Sequence, residues 1–161
     1  LSGLKRYDVK CIEIRTINGQ VIPWVDEIKY LGIYIRCCRY FRCSWDQAKK
    51  AFYRSLNAII GKVGRTASEE VVLHLIFCKC LPILLYATEA CPLNKSDLSS
   101  MDFALNRCLM KLFKSNNIAV INSCLFYFDF DLPSKCIEKR QKKFMNKFST
   151  CNNTLCNFLD R

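Results

Sequence analysis

Few residues in this sequence are of a type and spacing to do covalent or metal chemistry. There is one histidine, His74, and there are twelve cysteines. His74-x3-Cys78-x-Cys80 puts the first two residues on one helical face and Cys80 on another. A structural zinc site takes four ligands, usually from paired turns. Cys37-Cys38-x4-Cys43 and Cys151-x4-Cys156 are half-sites without evident mates, so no metal centre is expected. His74 and Cys78 have the helical spacing of a thiol–imidazole dyad, but no third group orients the base. Their apolar neighbours predict that both pack in the core.

The remaining candidates are weaker. Gly61 and Gly64 fall at a helix end and lack the strand-to-helix setting of a phosphate loop. In Tyr127-Phe128-Asp129-Phe130-Asp131 the two aspartates are separated by Phe130, not adjacent as in a two-metal strand. The expectation is no catalytic residue and no cofactor. Two-metal phosphoryl transfer needs carboxylates that the sequence does not supply.

Charge is more informative. Lysine and arginine number 25 against 14 acidic residues, a net charge of +11. The excess is +4 in residues 1–43, +4 in 44–65 and +5 in 134–149, whereas 66–133 carries −2. Such a surface suits a polyanion, nucleic acid first and an acidic membrane surface second. From Ser44 onward, Trp45, Ala48, Phe52, Leu56, Ile59, Ile60 and Val63 recur at helical spacing. At 100° per residue, Lys50, Arg54, Lys62 and Arg65 fall within an arc of about 120° opposite that stripe. Tyr53 and Asn57 border it, and Gly61 lies within it.

The elements that must position these residues follow from periodicity. Val9 to Ile22 alternates around Asn18-Gly19, a strong hairpin signal. Pro23 stops the second strand, and 27–36 reads as a further strand, partly buried on both faces. A helix is expected over 45–63, N-capped by Ser44 and ended by Gly64. Thr66-Ala67-Ser68-Glu69 matches a capping box and opens an apolar helix from about Ala67 to Cys80, which Pro82 must kink or end. Ile83–Ala90 reads as another helical stretch. A third helix, capped by Asn94 or Ser96, carries the stripe Leu98, Met101, Leu105, Cys108, Leu109, Leu112 and Phe113, and Asn116-Asn117 ends it. Residues 118–130 suit a short helix. Pro133 opens the last one, near 134–149, with Ile137, Phe144, Met145 and Phe148 on one face and lysines on the other. Val71 to Tyr86 is too short for a membrane span, which takes about 20 apolar residues, and it contains His74, Lys79 and Pro82. No membrane role is therefore expected.

Hydrophobic residues make up 51% and charged residues 24%, enough apolar material for a core and too much for wholesale disorder. With so little Gly and no apolar leader at Leu1–Lys10, the cysteines read as reduced residues of an intracellular protein, nuclear or cytoplasmic. The absence of an initiating Met points to an excised piece or a partial frame.

The order of motifs resembles a known family. Pro23-Trp24-Val25-Asp26-Glu27-Ile28-Lys29-Tyr30-Leu31-Gly32-Ile33-Tyr34-Ile35 resembles the Lys-Tyr-Leu-Gly strand that closes the palm of LINE-type (non-LTR) retrotransposon reverse transcriptases. Ala48-Lys49-Lys50-Ala51-Phe52-Tyr53-Arg54-Ser55, Gly61-Lys62-Val63-Gly64, Ala67-Ser68-Glu69-Glu70, Lys79–Tyr86, Glu89–Leu93 and Met101–Phe113 continue the likeness. It runs from about residue 5 to 148 and looks closest to the jockey and chicken-repeat branch. Where relatives carry Leu-Leu-Tyr-Gly, this chain has Ala87.

The expected elements make an α+β, mainly α fold, and the resemblance implies a role for each. Residues 1–36 would be the β-hairpin, primer-grip end of the palm. Residues 37–149 would be a helical thumb and connector of about five helices; beyond the likeness, the weak signals of 150–161 predict a frayed tail. The resemblance implies that Lys29, Tyr30 and Gly32 hold a primer end, and that the helix bearing Lys50, Arg54, Lys62 and Arg65 clamps an RNA–DNA template–primer duplex. The metal-binding aspartates of the palm would lie upstream of Leu1. Polymerisation by this piece alone is therefore not expected, and the missing palm and fingers would be its protein partners. The alternative is a helical protein–protein interaction module with no nucleic-acid role.

Overall fold

The computed structural model of the protein describes residues 12–64, 66–151 and 153. Expectations for Val9, Cys11, Arg65, Cys156 and most of the 150–161 tail lie outside the described residues. The fold is α+β and mainly α: short antiparallel strands come first and helices follow.

Strands β1 (Ile14–Arg15) and β2 (Val21–Ile22) form a small hairpin. The Gly19 N–H bonds the Thr16 carbonyl at 2.9 Å and the Thr16 N–H bonds the Gln20 carbonyl at 2.8 Å. Gly19, with φ +77°, supplies the left-handed residue that a three-residue hairpin loop needs. The Asn-Gly signal thus marks a hairpin, closed by Gly19 alone.

The single strand expected over 27–36 is instead two. β3 (Glu27–Tyr30) and β4 (Ile33–Arg36) pair in the register Glu27↔Arg36, Ile28↔Ile35, Lys29↔Tyr34 and Tyr30↔Ile33. Leu31 and Gly32 make the two-residue turn, both at positive φ (+46° and +84°), as a tight hairpin twisted with its strands requires. A near-continuous apolar run concealed this turn, and Gly32 was its only sign. β3 is exposed throughout rather than buried on both faces, and β4 is partly buried. A further strand, β5 (Cys43–Ser44), pairs with β4, Tyr34 opposite Ser44 and Ile35 opposite Cys43. The β region therefore runs past residue 36, and Ser44 belongs to a strand instead of capping a helix.

Helix α1 (Asp46–Val63) begins after Trp45 without a side-chain cap, and the Gly64 N–H closes it on the Ile60 carbonyl. Of its apolar stripe, Phe52 and Leu56 are buried, whereas Ile59 and Val63 are only partly so. Complete burial of such a side chain stabilises the fold by roughly 1.5–3 kcal/mol.

Helix α2 (Glu69–Leu75) is N-capped by Ser68, whose Oγ accepts from the Val71 N–H. Thr66 donates to the Val63 carbonyl instead. The next turn, Ile76–Cys80, is π-helical, with the Leu81 N–H on the Ile76 carbonyl, and leads directly into α3 (Leu81–Leu84). A wider turn suits Pro82, which has no N–H to donate and whose ring crowds the carbonyl four residues back. The α-helix proper thus ends at Leu75, before the proline, and the helical path continues through the π turn and Pro82 to Leu84. Residues 85–90, expected to be helical, form successive turns with Ala87 at φ +59°.

Of the two expected caps, Asn94 and Ser96, helix α4 (Lys95–Leu112) takes Asn94, completed as a capping box by Asp97. Its inner face buries Met101, Ala104, Leu105, Cys108 and Leu109. It ends before Asn116: Lys114 takes φ +50° and the Ser115 N–H returns to the Met110 carbonyl at 3.1 Å, the bond of a Schellman end. Asn117 caps α5 (Ile118–Tyr127) instead. That helix closes in the same way, with Asp129 at φ +52° and the Phe130 N–H on the Leu125 carbonyl. Helix α6 (Pro133–Ser149) starts at the expected proline, and Asp102 of α4 accepts the Ser134 N–H at 2.8 Å. Ile137 is buried, but Phe144 and Met145 are exposed, so only the first half of α6 lies on the core. Phe144 and Phe148 stack on each other at 6.4 Å.

The core is one cluster joining α1, the α2–π–α3 rod, α4, α5 and α6. Phe52, Ile76, Cys80, Leu84, Met101, Leu105, Leu109 and Ile121 lie at its centre.

Candidate functional site

A groove of about 640 Å³ runs between the three-stranded sheet, α1 and α3. The strand register builds its first wall. Lys29 opposes Tyr34, and Tyr34 opposes Ser44, so these three form one row across the sheet. The Lys29 ammonium lies 5.9 Å from the centre of the Tyr34 ring, within reach of a cation–π attraction. Gln47, Ala51 and Arg54 follow at four and three residues along α1 and form the second wall, with Ala48 beside them. Pro82 and Ile83 of α3, with Tyr86 just after it, form the third.

Gly32 closes one end of the groove. A Cβ at this position would stand 3.3 Å from Cε1 of Tyr86. The Tyr86 hydroxyl donates to the Leu31 carbonyl at 3.0 Å, holding the hairpin turn against α3. Trp45 is 5% exposed, and its indole N–H has no acceptor.

The structure gathers three of the expected residues, Lys29, Gly32 and Arg54, at this groove. It does not bring in Tyr30, Lys50 or Lys62. Tyr30 alternates to the opposite face of the hairpin and is 59% exposed. Lys50 is exposed on α1, one turn before Arg54. Lys62 is also exposed, about 12 Å further along the axis at 1.5 Å per residue. Arg65 lies outside the described residues. Lys49 turns toward α4, where its ammonium bonds Ser100 Oγ at 3.0 Å, and it also pairs with Asp46 of its own helix at 3.1 Å. The hydrogen bond from Lys49 is the main cause holding the Asp46 carboxyl below its usual range.

Sequence reasoning missed Tyr34, Ser44, Gln47 and Tyr86. The first two become visible once Leu31-Gly32 is read as a turn, since cross-strand partners then follow by counting. Nothing local signals Tyr86, which meets the hairpin only through the tertiary fold. Chemically the groove offers two cations, two phenol rings, an amide and a hydroxyl. Its lining contains no carboxylate, histidine or cysteine, so it is equipped to hold an anionic, aromatic ligand rather than to transfer a proton.

A second cleft, of about 480 Å³, lies between α1 and α4 and is lined by Tyr53, Asn57, Arg107 and Lys111 among others. Among the described residues no group of three or more His, Cys, Asp or Glu side chains is arranged to hold a metal ion. The ten described cysteines are free thiols. Cys78 and His74, expected in the core, are both exposed, because the buried face of the rod runs instead through Val72, Leu73, Ile76, Phe77 and Cys80. Among the described residues no helix is long and apolar enough to cross a membrane.

No family model, no curated protein and no solved structure matches this chain.

Proposed function

We propose that the chain binds nucleic acid through the groove and the adjoining face of α1, and that it does so without catalysis. The observation that carries this reading is the meeting of Lys29 and Arg54, from a strand and a helix, on two walls of one groove that also presents Tyr34 and Tyr86. Cations beside aromatic faces suit a strand whose phosphates are neutralised while its bases or sugars lie on rings. Lys50 and Lys62 extend the positive surface along α1 for a duplex too long for the groove alone. The resemblance of the sequence supplies the more specific proposal, an RNA–DNA template–primer duplex held by the primer-grip and thumb end of a retrotransposon reverse transcriptase. On that reading the chain works inside the cell, in nucleus or cytoplasm, beside the palm and fingers of the same polymerase.

The rival reading, a protein–protein interaction module, is favoured by one observation. Ile14, Val21, Ile22, Trp24, Val25, Ile28 and Leu31 of the β region are all about half exposed or more. An apolar surface of that extent commonly marks a contact with another protein. On the polymerase reading, the same surface faces the palm.

Fluorescence anisotropy with a labelled RNA–DNA hybrid distinguishes the two. Lys29→Glu with Arg54→Glu should weaken hybrid binding by at least about tenfold, since charge reversal replaces attraction by repulsion at two phosphates. Equal affinity of parent and double variant would leave the interaction-module reading in place.

A further inference from the structure

His74 closes α2, and Cys78 follows one turn later in the π-helical segment. Their side chains meet at the surface: Cys78 Sγ and His74 Nε2 are 3.4 Å apart, and both residues are exposed. His74 also lines a cleft of about 380 Å³ with Glu70, Val71, Leu75, Phe128 and Phe130. The cleft is built rigidly. The Phe130 ring stacks on Phe77 at 3.7 Å, and Phe128 stacks on Phe113 at 6.4 Å. The Schellman end of α5, through Asp129, fixes both phenylalanines against the rod. A nucleophile, a base in contact with it and an apolar recess beside the base thus lie together on a face separate from the Lys29–Arg54 groove. The other exposed described thiols, Cys37, Cys38 and Cys151, have no imidazole partner among their hydrogen bonds.

We propose that His74 and Cys78 form a thiol–imidazole pair that makes Cys78 the preferred site of covalent addition to α,β-unsaturated carbonyl compounds with a small apolar body, which the cleft beside His74 receives. The step needs no further reagent. His74 Nε2 takes the Cys78 proton as the sulfur bonds the β-carbon of the electrophile. The alkene π-pair moves to the α-carbon as an enolate, and the imidazolium returns the proton there. The product is a thioether, His74 is neutral again, and no redox change occurs. A base in contact with its nucleophile supplies the activation that an isolated surface thiol lacks. Val71, half exposed on the cleft wall, and the two phenylalanines give the electrophile's apolar portion its seat.

The test is site-resolved peptide mass spectrometry after brief exposure of the folded chain to limiting N-ethylmaleimide at pH 7. Cys78 should react about tenfold or more faster than Cys37, Cys38 and Cys151, as expected for an assisted against an unassisted thiol. His74→Ala and His74→Gln should each bring Cys78 down to the rate of those three and leave their rates alone. Gln retains a polar contact but is not a base, so it separates proton transfer from mere orientation. In denaturant the four rates should converge. N-phenylmaleimide should favour Cys78 further over the other three, and Val71→Ser should remove that added preference. Should Cys78 react no faster than the other exposed thiols, or keep its rate in both His74 variants whose thermal melts match the parent, the pair is not functional. If N-phenylmaleimide brings no added preference, the cleft is not the seat.

Discussion

The Tyr86 hydroxyl bonds the Leu31 carbonyl across 55 residues of sequence, joining the hairpin that carries Lys29 to the segment that follows α3. The carbonyl it engages belongs to a non-glycine residue at positive φ, a conformation that persists only when its surroundings hold it. Tyr86→Phe should therefore cost about 0.5–1.5 kcal/mol, the usual net worth of a hydrogen bond. Amide hydrogen exchange should rise selectively at Leu31 and Gly32. Unchanged exchange there would show that strand pairing alone holds the turn.

Ala87 sits at φ +59°, where the Cβ crowds its own backbone. Ala87→Gly should raise stability by about 0.5–1 kcal/mol, the relief of that strain exceeding the added flexibility of the unfolded chain. Urea denaturation checks it, with the midpoint expected to move upward.

Charge on α1 should act through salt-dependent affinity. Lys50→Glu, Arg54→Glu and Lys62→Glu together should weaken binding to an RNA–DNA hybrid and flatten the slope of log K against log salt by roughly two or more. All three positions are exposed, so the helical circular dichroism should not change. Leu56→Asp should do the opposite and unfold the protein, because that side chain is buried in the core and an unpaired charge there is too costly to keep. A triple variant that binds as the parent does would remove α1 from the interface.

The buried thiols predict a loss of stability in alkali. Burial pushes Cys91 up to about 12, helped by its contact with Cys43, and pushes Cys108 up to about 12, helped by Cys80. An unfolded thiol ionises near 9.0. Above that pH the unfolded chain releases protons that the folded chain retains. The stabilisation is thus complete below about pH 9 and is lost progressively toward pH 12. Urea midpoints at pH 8.5, 10 and 11 should fall, and the fall should be shallower in the Cys91→Ala, Cys108→Ala variant. Parallel curves for parent and variant would assign the alkaline loss to other groups.

Helices were legible wherever one face alone was apolar. The spacing of Phe52 and Leu56 and the Pro133 start each stated a local rule that packing then respected, whereas the cap of α4, open between Asn94 and Ser96 by sequence, is decided by Asp97 for Asn94. Residues 85–90 misled because Tyr86 and Ala87 continue an apolar run. Their conformation is decided by partners far away in the chain, which periodicity does not register. Pro82 was visible in the sequence, but the wider turn that precedes it has no sequence signature. For the groove, residue type identified Lys29 and Arg54 as basic. Their convergence depends on the Leu31-Gly32 turn, which reverses the strand and sets which side chains oppose one another. Tyr30 shows the same point in reverse, since adjacency to Lys29 in sequence puts it on the other face.

The span Leu85–Thr88 is held from two directions. Arg140 donates to the Leu85 carbonyl at 2.8 Å and Gln141 to the Thr88 carbonyl at 3.3 Å, while Tyr86 between them reaches the hairpin. Helix α6 is thus clamped to the segment that positions the groove. Contacts between residues so distant in sequence close late, because the intervening chain must first be ordered. During synthesis the strand bearing Lys29 leaves the ribosome first, yet its seat is complete only once Arg140 and Gln141 have emerged more than a hundred residues later. Until then the Leu85–Thr88 span lacks its hold from α6, and a chain halted short of that helix would carry every lining residue of the groove with one wall unclamped.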